Sequence, residues 1–170
     1  MIDMRERVGP VGILTPEEVE EINADLSHYD NNRAVTIEAL KIVQANRGWV
    51  SDESLQSIAA YLNLSAAEVE GVATFYNLIF RQPVGKKVVR ICDSVTCWAL
   101  GYEKIRDSLK AELNLEYGQT TQDGEFTLLP GPCMGACDHA PVLMVNNDLH
   151  EDVDEETAKE IVRKYGYKPQ

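Results

Sequence analysis

Apolar positions recur at helical spacing through the first half of the chain and give way to short strand-like runs in the second. Thr15-Pro16-Glu17-Glu18 is a strong helix start. Thr15 can cap, Pro16 suits the first helical position, and Glu18 completes a capping box. Val19, Ile22 and Leu26 then share one face, and Asp30-Asn31-Asn32 should stop the helix. A second helix is predicted over 33–46, with Ile37, Leu40, Ile42 and Val43 as its stripe and Gly48 as its stop. Trp49-Val50 should pack down onto these helices. Ser51 opens a third helix carrying Leu55, Ile58, Ala59 and Leu62. Ser65 and Glu68 form another capping box, for a short fourth helix with Val69, Val72 and Ala73. The stretch Gly71 to Phe80 is aromatic and lacks polar alternation; it reads as core linking the halves, with a partner-binding surface as the alternative.

Pro83-Val84-Gly85 marks a boundary. Beyond it, Lys86 to Ile91 reads as a strand ending at Cys92, and a helix follows over 98–113, with Leu100, Ile105, Leu109 and Leu113 as core contacts. After the Asp123-Gly124 turn, Phe126 to Leu129 is a second strand, broken by Gly131-Pro132. Val142 to Val145 and Leu149 to Val153 form a hairpin. Asp154 caps a last helix with Ala158, Ile161, Val162 and Tyr165 inward. The order strand, helix, strand, hairpin, helix is the minimal thioredoxin-like arrangement, and Pro141 stands where that fold often carries a cis proline. The chain is therefore expected to be α+β. Residues 1–14 form a lead-in, 15–84 a small helical bundle, and 85–170 a thioredoxin-like α/β domain.

Composition narrows the function. The 170 residues carry 28 acids against 16 Lys and Arg, a net charge of −12. That argues against nucleic acid and against an anionic membrane surface, both of which are bound through basic residues. The N-terminus has acids and no signal-like apolar run, and no stretch approaches the ~20 apolar residues of a membrane span. A cytoplasmic protein without direct membrane insertion is expected, and there thiols stay reduced.

All four cysteines fall in the second half as two pairs: Cys92 and Cys97 with four residues between, Cys133 and Cys137 with three. If the two strands preceding them are parallel neighbours, both loops emerge at one sheet edge. Cys97 is then expected at a helix N-terminus, with a low thiolate pKa. Dithiol catalysis usually takes a Cys-x-x-Cys pair, which neither pair is. A Rieske centre needs two histidines, and only His139 is near. Four thiolates suit either a structural zinc or a [2Fe-2S] cluster, and spacing alone leaves both open.

The run Asp123-Gly124-Glu125-Phe126-Thr127, five residues, then Cys133-Met134-Gly135-Ala136-Cys137-Asp138-His139-Ala140-Pro141 resembles a family signature. The family is that of the small thioredoxin-like [2Fe-2S] subunits of the NADH-dehydrogenase module of respiratory complex I. Met134 stands where leucine is more usual. Ile37-Glu38-Ala39-Leu40, Arg47-Gly48-Trp49-Val50, Gly71 to Tyr76 and Cys92-Asp93-Ser94 match as well. The resemblance implies that Cys92, Cys97, Cys133 and Cys137 ligate one [2Fe-2S] cluster. It implies an electron carrier with no substrate site of its own, exchanging single electrons with the FMN of a partner NADH-binding flavoprotein subunit. Other peripheral-arm subunits of complex I would be its neighbours, and the chain would lie peripheral to the inner membrane through that complex. The equivalent subunit of an NAD-linked hydrogenase or formate dehydrogenase is the related alternative; a zinc-stabilised interaction module is the non-redox one.

Overall fold

The computed structural model describes residues 14–169, so all of the predicted lead-in but Leu14 lies outside the described residues. The chain divides into two compact units, one ending at Pro83 and one beginning at Val84.

The first unit is helical: α1 (Pro16–Leu26), a 3-10 turn (Asn32–Val35), α2 (Thr36–Arg47), α3 (Asp52–Leu62) and α4 (Ala66–Phe75). Both capping boxes form, Thr15 with Glu18 and Ser65 with Glu68. Gly48 ends α2 in the left-handed region, at φ 82°. The core gathers Ile22, Leu40, Val43, Val50, Ile58, Leu62 and Val69 from all four helices and the Gly48–Val50 corner. Helix α1 ends sooner than the sequence suggests, because Asn31 is engaged elsewhere. Its side chain caps the next turn by accepting from the Ala34 N–H at 3.0 Å. The Gly71–Phe80 stretch is not core throughout. Helix α4 runs on to Phe75, and Ile79 is buried, but Phe75 is 80% exposed and Tyr76 and Leu78 also face solvent. An unbroken apolar run on a helix cannot bury every side, so only the side continuing Val69 and Ala73 turns inward.

Among the described residues, one carboxylate is enclosed in this core. Glu18 is fully buried and takes two hydrogen bonds from the Arg47 guanidinium, at 2.8 Å to Nε and 2.5 Å to Nη2. Arg47 also donates to Ser54 at 3.0 Å. The capping residue is thus also half of a bidentate ion pair.

The second unit is built on a four-stranded sheet in the order β2-β1-β3-β4. The strands are β1 (Lys87–Cys92), β2 (Phe126–Gly131), β3 (Leu143–Val145) and β4 (Asp148–His150). Strands β1 and β2 are parallel, with Cys92 opposite Gly131; β3 pairs antiparallel with β1 and with β4. Helices α6 (Tyr102–Leu113) and α7 (Glu155–Lys164) bury Ile105, Leu109, Leu113, Ala158, Ile161 and Val162 in one core with Val89, Ile91, Leu128, Leu143 and Val145 of the sheet.

Three boundaries differ from expectation. The helix after Cys92 is two helices, α5 (Val95–Ala99) and α6, broken at Gly101 with φ 89°. Leu100 is accordingly exposed rather than core. It lies five residues before Ile105, about 140° off the stripe that Ile105, Leu109 and Leu113 share. Strand β4 is shorter than 149–153, because Asp152 takes φ 50° and Val153 turns back to hydrogen-bond the Pro141 carbonyl at 2.9 Å. Strand β2 runs through Pro130 and Gly131 instead of ending at Leu129. The Ala140–Pro141 peptide bond is cis.

Candidate metal centre

The parallel pairing of β1 with β2 places the two cysteine-bearing loops at one edge of the sheet. Cys92 is the last residue of β1, and its N–H donates to the Val142 carbonyl at 3.2 Å. Asp93 N–H donates to the Gly131 carbonyl at 3.0 Å, so the two loops leave the sheet tied together. Cys97 sits in α5 and Cys133 in the loop after β2. Cys137 opens a short 3-10 turn (Cys137–His139). Cys92, Cys97 and Val142 form a small buried cluster, flanked by Tyr102, Met134, Ala136 and Ala140. Cys133 and Cys137 are exposed, their sulfurs 3.4 Å apart.

The thiols feel their surroundings differently. Burial pushes the Cys97 thiol up to about 11, partly countered by the Val142 N–H, with Cys92 adding to the rise. This reverses the expected low value. Cys97 does lie in the first turn of α5, as expected, but the cost of enclosing a thiolate outweighs the pull of so short a helix. The Gly135 N–H holds the Cys133 thiol below its ordinary value, and Gly135 can turn that amide inward because it adopts φ 91°. Cys137 is raised by its contact with Cys133, while the Thr96 hydroxyl hydrogen-bonds it and acts the other way. Cys92 and Cys137 both act on Cys97, so the two pairs lie within electrostatic reach of one another.

Two contacts at the site carry no signal in the sequence beyond adjacency. Thr96 precedes Cys97 yet reaches across to Cys137, and the Val142 amide follows Pro141 yet serves Cys97. His139 does not join the thiols. It is exposed and lies 3.1 Å from Asp152, which with Asp138 raises its pKa.

Among the described residues, no three His, Cys, Asp or Glu side chains are disposed around a single metal ion. The thiols stand instead as a buried pair and an exposed pair, with backbone N–H groups and one hydroxyl aimed at sulfur. That donor set, all thiolate and hydrogen-bonded, fits an iron–sulfur cluster.

A family model described as thioredoxin-like [2Fe-2S] ferredoxin matches residues 22–166. The chain is 49% identical over 152 residues to the E subunit of NADH-quinone oxidoreductase from Escherichia coli (strain K12), covering 89% of this chain and 92% of that one. It is 46% identical over 153 residues to the protein of the same name from Pseudomonas aeruginosa, covering 90% and 92%. Among solved structures, an NAD+-reducing [NiFe]-hydrogenase in the H2-reduced state is similar with a TM-score of 0.63 over 74% of this chain. At 22% identity, and with 21% of that longer chain covered, the likeness is one of fold.

Proposed function

The chain belongs to the thioredoxin-like [2Fe-2S] ferredoxin family, and on that basis we propose that it is the electron-transfer subunit of an NADH:quinone oxidoreductase. Its partner is a flavoprotein subunit that binds NADH and FMN, with which it exchanges single electrons. Cys92, Cys97, Cys133 and Cys137 are the ligands, each as a thiolate. The observation that carries this reading is the β1–β2 register: Cys92 opposite Gly131 sets both cysteine loops at one edge.

When bound, the cluster supplies a one-electron couple and no substrate chemistry. The protein's own groups do the rest. The Val142 and Gly135 amides and the Thr96 hydroxyl donate toward sulfur. Such hydrogen bonds stabilise negative charge there and favour the reduced form. Val142 and Tyr102 shield the buried pair from water, while the exposed pair stays open to a docking protein. Among the described residues no helix is long and apolar enough to cross a membrane. Placement at the cytoplasmic side of the inner membrane, held through the complex, accords with that.

Anaerobic purification tests the reading. The chain should carry two irons and two sulfides, show a reduced-state EPR signal, and co-purify with a flavin-containing chain. Colourless protein with one zinc and no sulfide would refute it. Co-purification with a hydrogenase or formate dehydrogenase chain would move the subunit to that enzyme and leave the cluster in place.

A further inference from the structure

Helix α5 carries Cys97 inward and turns Val95 and Trp98 outward, three residues apart and so on one face. Val95 is 74% exposed, Trp98 61% and Leu100, just past the helix, 57%. An indole left in water forgoes the stabilisation that burying so large an apolar group brings. The local fold does not call for it. The helix is held by backbone bonds, Trp98 N–H to the Ser94 carbonyl at 2.8 Å and Leu100 N–H to the Thr96 carbonyl at 3.0 Å, which other side chains would also permit.

This apolar ridge stands beside the thiols. Thr96, between Val95 and Cys97, hydrogen-bonds Cys137. Tyr102, Met134 and Ala136 pack together on the Cys92–Cys97 pair. Helix α5 and the Cys133–Cys137 loop are therefore neighbours on one surface, at the cysteine end of the sheet. Charged residues make up 26% of the chain, yet Ser94 to Tyr102 and Pro132 to Cys137 contain none. A buried strand has reason to lack charge, but most of these residues lie at the surface.

Charges return at the borders, and most are acids. Asp93 and Glu103 bracket the first stretch, and Asp138 follows the second. Glu151 and Asp152 gather with Asp138 around His139, and all three raise its pKa. The cations nearest in sequence are His139, Lys104 and Arg106, and Arg106 is paired with Asp107. The result is an uncharged, partly apolar centre inside an acidic rim.

An interface core is depleted in charge and surrounded by a polar rim, and tryptophan is a frequent anchor of such a core. The rim selects the occupant. A second copy of this chain would set acids against acids, and nucleic acid or an anionic membrane would repeat the mismatch. A protein surface with Lys and Arg around an apolar hollow complements it. An electron carrier exchanges electrons only with a centre brought close to its own, so the protein covering this edge is the one that gives or takes the electron.

We propose that this face is where the FMN- and NADH-binding partner docks, with Trp98 seated in an apolar hollow of the partner and the acidic rim meeting its Lys and Arg side chains. This rests on the electron-transfer reading above and adds the face and the chemistry by which the partner is recognised. Docking there also shuts water away from the exposed Cys133–Cys137 pair. Trp98 ligates nothing; it is an anchoring residue.

The test is titration calorimetry of the full, cluster-loaded chain against the purified FMN- and NADH-binding subunit of the same complex, over a series of salt concentrations. Iron and sulfide content and the reduced EPR signal are measured for each variant. Trp98→Ser should keep its cluster and bind about thirtyfold more weakly. Replacing Glu103 and Glu151 together by Gln should weaken binding about fivefold at low salt and flatten its salt dependence. Native affinity in Trp98→Ser overturns the proposal, as does a native complex indifferent to salt. A dimer of the native chain that Trp98→Ser dissolves also overturns it, by giving the face to a second copy. Should Trp98→Ser lose its iron, Val95→Asp decides: binding about tenfold weaker with the cluster intact upholds the proposal, and native affinity overturns it. A native chain that holds its cluster but binds the flavoprotein at no salt concentration sinks the electron-transfer reading itself, a separate failure.

Discussion

Each unit of this chain holds an arginine against its interior, and the two are used in different ways. Arg47, in the helical unit, grips the buried Glu18 carboxylate with two hydrogen bonds and a nearby serine with a third. Its charge is consumed inside the fold. Arg90, in the sheet unit, meets only a carbonyl and a thioether. The same contrast extends to the other polar groups. In the first unit the capping serine and threonine, Glu18 and Ser54 are all engaged by their own unit. In the second, two thiols are shut in a small apolar cluster and two stand exposed, with amides turned toward them. Polar groups that satisfy one another make a scaffold; thiols left with unused lone pairs make a site for something to be bound.

Three substitutions probe this contrast. The largest effect falls on the thiols. Cys133→Ala should lose the cluster altogether, read as loss of the visible absorption and of the reduced EPR signal, and should destabilise the second unit; an intact spectrum would refute the ligand assignment. Next comes the scaffold pair. Glu18→Ala removes the buried carboxylate from a half-buried Arg47 and the Thr15 capping box, and should cost about 3 kcal/mol, measured by urea denaturation followed by circular dichroism. A loss below about 1 kcal/mol would mean that the ion pair does not hold the helical unit together. The smallest effect is expected at His139, which is exposed and paired only with Asp138 and Asp152. His139→Asn should leave iron content and the EPR signal as in the native chain; loss of the cluster would bring His139 into the site.

Much of the local structure was legible in the sequence for identifiable reasons. Thr15, Ser51 and Ser65 cap because their oxygens can reach an amide three residues on, and those boundaries match. Ile105, Leu109 and Leu113 face inward because one stripe satisfies helical spacing. Leu100 misled because it is apolar and close to that stripe yet out of phase with it. Phe75 and Tyr76 misled because an aromatic run suggests burial, and nothing local says which side of the helix finds a partner. Asn31 misled because asparagine can end one helix or start the next turn, and the sequence does not rank the two.

The site divides along the same line. That four cysteines in two pairs follow two strands is a property of the chain, and so is their fitness for metal, since thiolate chemistry and spacing are local. Their meeting depends on β1 and β2 lying parallel and in register, which brings together loops 35 residues apart. The high pKa of Cys97 and the reach of Thr96 to Cys137 depend on it too. Which donors exist, and which helices carry them, follows from the order of residues alone, because propensity, capping and periodicity act over a few positions. Which charges are compensated and which are left over is settled in three dimensions. Burial and Coulomb energies are set by distance in space, and strand register decides that distance.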